Sequence, residues 1–407
     1  MSWQQMPIRA VYRRVEERGR EDLPLLSVYR DHGVVPRDER DDNNNRPSDD
    51  LSTYKYVRPG DLVVNKMKTW QGSLAVSSHE GIVSPAYFIG RRIAAVDDRF
   101  MHHLLRSLPL IAEYGARSKG IRPAQWDLPW DEFASIKISL PSPGAQRAIA
   151  DYLDAETARI DALIAKKQRM VELVIQWRRS AIEEALGGGR NAVDYLSGAN
   201  AGIRNSVPLK RLLVRTIAGG TPDSTDDRLW ESDGQGIAWL SIGDMVDCGF
   251  TTSTVRSLTP DGLRASRLAI APPETLLFAM YASLGKITTT QIPAVWNQAI
   301  LGLVPNPELV DVLFLARWLE VLREHLSFVA RSSTQENLNA EQVGELPVPR
   351  WSRAEQAVLV VQLESRLEQL SVAKSAILRQ IDLLREHRQA LITAAVTGEV
   401  EIPGVAA

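Results

Sequence analysis

Cysteine is almost absent from this sequence. Cys248 stands alone among 407 residues, which excludes an intrachain disulfide and a cysteine-rich metal site. Long apolar runs are missing too. None reaches the roughly 20 residues that a membrane-spanning helix needs. Met1 to Val15 mixes charged and apolar residues without a signal-peptide core, so a cytoplasmic location with no membrane partner is expected. There is no excess of positive charge either. Lys and Arg number 48 against 50 Asp and Glu, a formal net charge of −2. That is not the balance of a simple nucleic-acid binder, although local basic loops or a partner's positive surface remain compatible with it.

Catalytic motifs are also lacking. Gly187-Gly188-Gly189 is not followed by Lys and Ser or Thr, so it is no phosphate-binding P-loop. Ala271-Pro272-Pro273-Glu274 lacks the leading Asp or Asn and the trailing aromatic of an amino-methyltransferase motif. Neither Gly-x-Ser-x-Gly nor His-Glu-x-x-His occurs. His102 and His103 are adjacent, point to different faces of a helix, and suit structural roles. Asp61 precedes Lys66 without the second acid of a nuclease site. No catalytic residue, bound cofactor or metal ligand is therefore assigned.

Proline and glycine are missing from two stretches of about 40 residues, Gln146 to Leu186 and Gln356 to Val396, which align without a gap at an offset of 210. Such stretches suit helices roughly 60 Å long. In the second, Leu363, Leu370, Ile377, Leu384 and Leu391 recur every seven residues, with Val360, Leu367 and Ile381 on the other seam. In the first, Leu153, Ile160 and Val174 mark one seam, and Ala150, Ile164 and Val171 the other. A sustained heptad with both seams apolar specifies a coiled coil, and the two helices are each other's nearest partners. Lys167 and Lys374 interrupt the seams, either to fix register or merely to snorkel. An antiparallel pair is expected because it gives the halves a pseudo-twofold relation.

The chain divides into a globular region (1–141), a long helix (142–186), a linker (187–206), a second globular region (207–350), a second long helix (351–397) and a tail (398–407). The expected fold class is α+β: two similar α/β domains separated by two long helices in an antiparallel coiled coil, with an internal pseudo-twofold repeat. In the first region Arg37 to Asp50 reads as a solvated loop, Leu62 to Val64 and Ile82 to Ile89 as strands, Phe100 to Tyr114 as a helix ended by Gly115, and Ile136 to Leu140 as a short strand. The second region repeats this outline. Trp239 to Asp244 is a strand and turn, Pro273 to Ala279 a buried strand, Trp296 to Leu301 the counterpart of the strand near Val83, and Val312 to Val329 a helix.

What remains are binding features. Lys66, Lys68, Trp70 and Gln71 share one short loop, a mixture suited to phosphate and base edges. Arg117, Lys119 and Arg122 form a basic cluster around Gly120. In the second region Tyr281 and Lys286 flank the corresponding strand end, and Arg331, Ser333, Gln335 and Asn337 occupy the place of the basic cluster. Amides can read adenine and Arg can read guanine. For each residue the plainer reading is an ordinary solvated side chain, or for Trp70 a core position. The repeated placement lifts the set above a stray charge run.

Pro59-Gly60-Asp61 with Asn65 to Gly72, Gly81 to Tyr87, Trp239 to Asp244, Asn297-Gln298-Ala299 and the two long helices, closing on Ala395-Val396-Thr397-Gly398, together resemble the specificity subunit of type I restriction–modification systems. The resemblance covers essentially the whole chain. It implies that each globular region is a target recognition domain for one half of a split, asymmetric double-stranded DNA site. It implies that the helices are the spacer and dock two methyltransferase subunits. Restriction subunits would join them, and S-adenosylmethionine, ATP and Mg would belong to these partners. The chain itself would be non-catalytic. Pro143-Gly144-Ala145-Gln146 departs from the acid that commonly precedes the Gln, present as Glu355 before Gln356. A coiled-coil scaffold binding only protein is the alternative, and a fused methyltransferase or nuclease is a third reading that the motif search disfavours.

Overall fold

The structure, a computed structural model, describes residues 3–30, 33–39, 48, 50–120, 126–186, 206–231, 236–281, 283–323, 325–326, 337–403 and 405. The chain forms two compact units, Met1–Arg169 with Ile377–Ala407, and Met170–Ala376. Each unit therefore holds one globular region and part of both long helices.

The first unit runs through β1 (Gln4–Pro7), β2 (Tyr12–Val15), β3 (Leu26–Tyr29), β4 (Gly33–Pro36), β5 (Lys55–Val57), β6 (Leu62–Asn65), β7 (Leu74–Val76), β8 (Gly81–Val83) and β9 (Tyr87–Arg92). Then come α1 (Asp98–Leu105), α2 (Leu108–Arg117), α3 (Trp130–Ser135), β10 (Lys137–Leu140) and the long α4 (Pro143–Ala185). The central sheet is antiparallel in the order β2-β9-β6-β7, and β1 pairs with β10. Leu62, Val64 and Leu74 of the sheet meet Phe100, Met101 and Leu105 of α1 in one core.

The second unit continues with β11 (Ser206–Pro208), β12 (Leu213–Ala218), β13 (Trp230–Glu231), β14 (Ile237–Leu240), β15 (Gly249–Thr251), β16 (Arg256–Leu258) and α5 (Pro260–Ser266). It closes with β17 (Leu276–Ala279), β18 (Ile287–Thr290), β19 (Ala294–Trp296), β20 (Ile300–Pro305), α6 (Val312–Arg323), α7 (Ala340–Gly344), β21 (Pro347–Pro349) and α8 (Arg353–Thr397). Its main sheet is ordered β12-β20-β17-β18-β15, beside a smaller sheet β13-β16-β14-β19. Strands β6, β7 and β9 correspond to β17, β18 and β20, and α1 to α6, so the repeat extends from the helices into the domains.

Three expectations need correction. Ile82 to Ile89 is two strands, because Pro85 cannot donate to a ladder and Tyr87 N closes a turn on Ser84 O at 3.1 Å. The same break separates β19 from β20, where Ile300 N reaches Asn297 O at 3.2 Å. Phe100 to Tyr114 is two helices. The first ends at Leu105, and Ser107 with Pro109 starts another that runs past Gly115 to Arg117. In the second region α6 ends at Arg323, and the rest of Val312 to Val329 lies largely outside the described residues. Most of Arg37 to Asp50 and the linker through Asn205 also lie outside them.

The long helices are antiparallel. In the first unit Lys167 Nζ donates to Gln380 Oε1 at 2.5 Å and Arg388 meets Asp161 at 3.0 Å. There Ile149, Ala150 and Leu153 share a core with Ile392, Ala395 and Val396, with Leu391 against it. In the second unit Arg366 meets Glu184 at 3.2 Å, and Ala181, Ile182 and Leu186 share a core with Val360, Leu363 and Leu367. Rising numbers on one helix meet falling numbers on the other. The heptad seams face inward: Leu153, Ile160, Val174, Leu363, Leu367, Ile377 and Ile381 are buried, and Ile164, Val171, Leu370, Leu384 and Leu391 half-buried. Lys167 thus spends its charge on a cross-helix bond.

Each globular region joins its helix in the same way. Asp97 and Asp311 cap α1 and α6, accepting from Arg99 and Phe100 N–H and from Leu313 and Phe314 N–H. The backbone N–H of each Asp donates to a glutamine of the long helix, Asp97 to Gln146 at 2.9 Å and Asp311 to Gln356 at 2.7 Å. Farther along, Asp154 is held by Arg99 at 2.8 Å and by His103 at 3.3 Å, and Glu364 is held by Arg317 at 2.7 and 2.9 Å.

Candidate nucleic-acid interface

The loop after β6 is built from inside out. Asn65 Oδ1 accepts from Met67 N at 3.2 Å, while Asn65 O accepts from Lys68 N at 3.0 Å and from Thr69 Oγ1 at 2.5 Å. Thr69 is buried, and Gly72 closes the turn at φ 86°, where a Cβ would lie 2.8 Å from Ile111 Cδ1. Only glycine fits that corner. With the frame turned inward, Lys68 and Gln71 are exposed and Lys66 and Trp70 half-buried. Trp70 donates from Nε1 to Met67 O at 3.1 Å and stacks edgewise on Trp126, with centroids 5.2 Å apart. Lys66 and Lys68 make no ion pair among the described residues, so both ammonium groups are available to an anion.

The first basic cluster is engaged otherwise. Arg117 Nε donates to Glu113 Oε1 at 2.7 Å and Nη1 to Ser135 Oγ at 3.0 Å. Lys119 Nζ donates to Glu132 Oε1 at 3.2 Å. Carboxylates thus already balance both cations, although Lys119 stays mostly exposed. Arg122 lies outside the described residues. Asp61 is buried in a two-bond fork with Arg91, at 3.0 and 3.2 Å. The same guanidinium hydrogen-bonds Glu17 and holds its carboxyl below the ordinary range. Asp61 therefore has a structural partner. Among the described residues no group of three His, Cys, Asp or Glu could hold a metal ion, and no helix is long and apolar enough to cross a membrane.

In the second unit the loop after β17 takes the equivalent place. It ends at Gly285, φ 75°, as its counterpart ends at Gly72. Leu338 N donates to Met280 O at 3.0 Å, just as Leu128 N donates to Lys66 O at 3.1 Å. Tyr281 donates from its hydroxyl to Gln298 O at 2.7 Å, and Thr221 Oγ1 to Gln298 Oε1 at 2.5 Å. Lys286 is half-buried and donates to Ile242 O at 2.9 Å, so it braces the loop. Arg331, Ser333 and Gln335 lie outside the described residues, and Asn337 is half-buried beside Leu338.

Sequence reasoning missed a second cluster on the small sheet. Trp230 and Trp239 stack edge to face at 5.0 Å, and the Arg256 guanidinium lies 3.4 Å from the Trp230 centroid and 5.8 Å from that of Trp239. Trp239 Nε1 donates to Gly220 O at 3.0 Å, which joins this cluster to Thr221 and Gln298. Arg256 sits opposite Trp239 in the β14–β16 register. An arginine flat on an aromatic ring keeps its N–H edge free for phosphate or guanine. The two tryptophans were the only available signal, because their link to Arg256 is a strand register.

Residues 215–371 match the family model described as the type I restriction modification DNA specificity domain. A chain of a solved structure described as the structural basis underlying complex assembly and conformational transition of the type I R-M system shares the fold. It aligns at a TM-score of 0.75 with 16% identity, covering 98% of this chain and 98% of that one. The HsdS subunit of Thermoanaerobacter tengcongensis aligns at a TM-score of 0.54 with 16% identity, covering 98% of this chain and 97% of that one.

Proposed function

We propose that this chain, whose residues 215–371 match the type I restriction modification DNA specificity domain and whose fold is similar to that of an HsdS subunit over 98% of its length, reads a two-part double-stranded DNA target for a restriction–modification complex. Each globular region reads one half. The helix pair docks two methyltransferase subunits, and restriction subunits complete the assembly. S-adenosylmethionine, ATP and Mg act in those partners, and the chain itself performs no catalysis. It works in the cytoplasm.

The observation that carries this reading is the duplicated strand-end loop, clipped by Leu128 N in one unit and Leu338 N in the other. Lys66 and Lys68, without an ion pair among the described residues, supply positive charge in the first, and the Trp230–Arg256 stack adjoins the second through Gly220 and Thr221. Phosphate contacts of this kind position a protein on DNA, and side chains at base edges specify the sequence.

Co-expression with a methyltransferase subunit encoded beside it, followed by mapping of methylated adenines in the host genome, tests the reading. A split motif with two defined halves is expected. A stable complex that methylates nothing would favour the scaffold alternative.

A further inference from the structure

We propose that Gln146 and Gln356 are positioning residues that hold each globular region at one fixed angle on its helix, and thereby restrict the DNA target to a single gap between its halves. The inference rests on the DNA-reading function above, and it concerns a joint that lies wholly inside each unit.

Both glutamines are 2% exposed. Each occupies the fourth position of its long helix and ties three elements together. Gln146 Oε1 accepts from Asp97 N, the cap of α1, while Nε2 donates to Pro141 O beyond the end of β10, both at 2.9 Å. Gln356 Oε1 accepts from Asp311 N, the cap of α6, at 2.7 Å, while Nε2 donates to Trp351 O at 2.9 Å and Leu309 O at 3.2 Å. At each buried glutamine a backbone N–H and a carbonyl call for an acceptor and a donor on one side chain, and an uncharged amide offers both. Glutamate would lose the donor, and an apolar side chain would leave both backbone groups unpaired.

A single attachment would let a domain swivel. The second attachment, Asp154 or Glu364, lies eight residues on, about 12 Å along the helix. The pairs Asp97–Gln146 and His103–Asp154 recur as Asp311–Gln356 and Arg317–Glu364, at the repeat offsets of 214 and 210. Two tethers on one helix define a direction. The same four positions serve in both units, although the globular regions around them share little sequence.

The test is a methylation map made with the whole complex carrying Gln146→Met, or Gln356→Met in the other unit. Methionine conserves volume and removes both hydrogen bonds. The bases read in each half should stay unchanged, while sites with the gap one base pair longer or shorter become methylated. Gln146→Glu, which keeps the acceptor for Asp97 N but turns a carboxylate oxygen on Pro141 O, should relax the gap as methionine does. Uniformly weaker methylation at the single native gap would overturn the inference, as would an altered base preference. Should one methionine variant fail to fold, the other gives the same readout. Absence of any split motif with the unaltered chain would instead remove the DNA-reading function on which the inference stands.

Discussion

Replacing Glu320 with Gln should destabilise the second unit well beyond an ordinary surface change. Glu320 is the hub of a charge network. Arg178 of α4 pairs with it, and Arg317 donates to it at 3.1 Å while also gripping Glu364 of α8. The Arg317 and Glu320 side chains are only 9% and 14% exposed. Removing one partner of a buried pair costs about 3–5 kcal/mol, because the other charge is left uncompensated. Here Arg178 is 35% exposed and Arg317 keeps Glu364, so we expect about 2–3 kcal/mol. For a unit of this size that lowers Tm by roughly 5–10 °C. Calorimetry measures the shift, and hydrogen exchange at the amides of α6, the helix that carries Glu320 and the buried Trp318, assigns the transition to this unit. Adding Arg178→Met should recover part of the loss, since it removes the stranded charge. Burial pushes the Glu320 carboxyl up, but Arg178 and Arg317 outweigh burial and hold it below the usual glutamate range. A depressed carboxylate stabilises above its unfolded pKa, so the deficit of Glu320→Gln should be full at neutral pH. It should shrink as pH falls below about 4. A Tm change under about 1 °C, or a double variant worse than both single ones, would refute the reasoning.

Three further outcomes are expected. Lys66→Ala with Lys68→Ala should flatten the salt dependence of DNA binding by about two units of slope, whereas Arg117→Ala, whose guanidinium already serves Glu113 and Ser135, should mainly cost stability; equal slope changes would contradict this. Gly72→Ala should destabilise the first unit by about 1–3 kcal/mol, read as its melting shift, because φ 86° and Ile111 both oppose a Cβ. Burial pushes the Cys248 thiol up to about 12, so at pH 8 only roughly one molecule in ten thousand carries the thiolate, and iodoacetamide should label the folded chain far more slowly than the unfolded one.

The long helices were legible because their signal is local and redundant. Two stretches without Pro or Gly carry heptads, and every seam position named from spacing proved buried or half-buried. The break between α1 and α2 was hidden by the apolar run Leu108 to Ile111, which kept a helical appearance across Ser107 and Pro109. Charge was the least readable property. Arg117 and Lys119 resemble Lys66 and Lys68 in sequence, but Glu132 reaches the first pair only after α3 folds back. The Trp230–Arg256 stack depends on strands pairing 26 residues apart. The match of Gln146 to Gln356 was visible, but their role required the N–H of Asp97 and Asp311, which the fold brings to them.

The most direct test of the proposed independent half-site reading is to replace residues 1–141 with the corresponding region of a type I specificity subunit of known target and map adenine methylation again. One half of the motif should change to the donor's bases, while the other half stays the same. If both halves changed together, or neither did, the two globular regions would not be separate readers, and the central claim would fail.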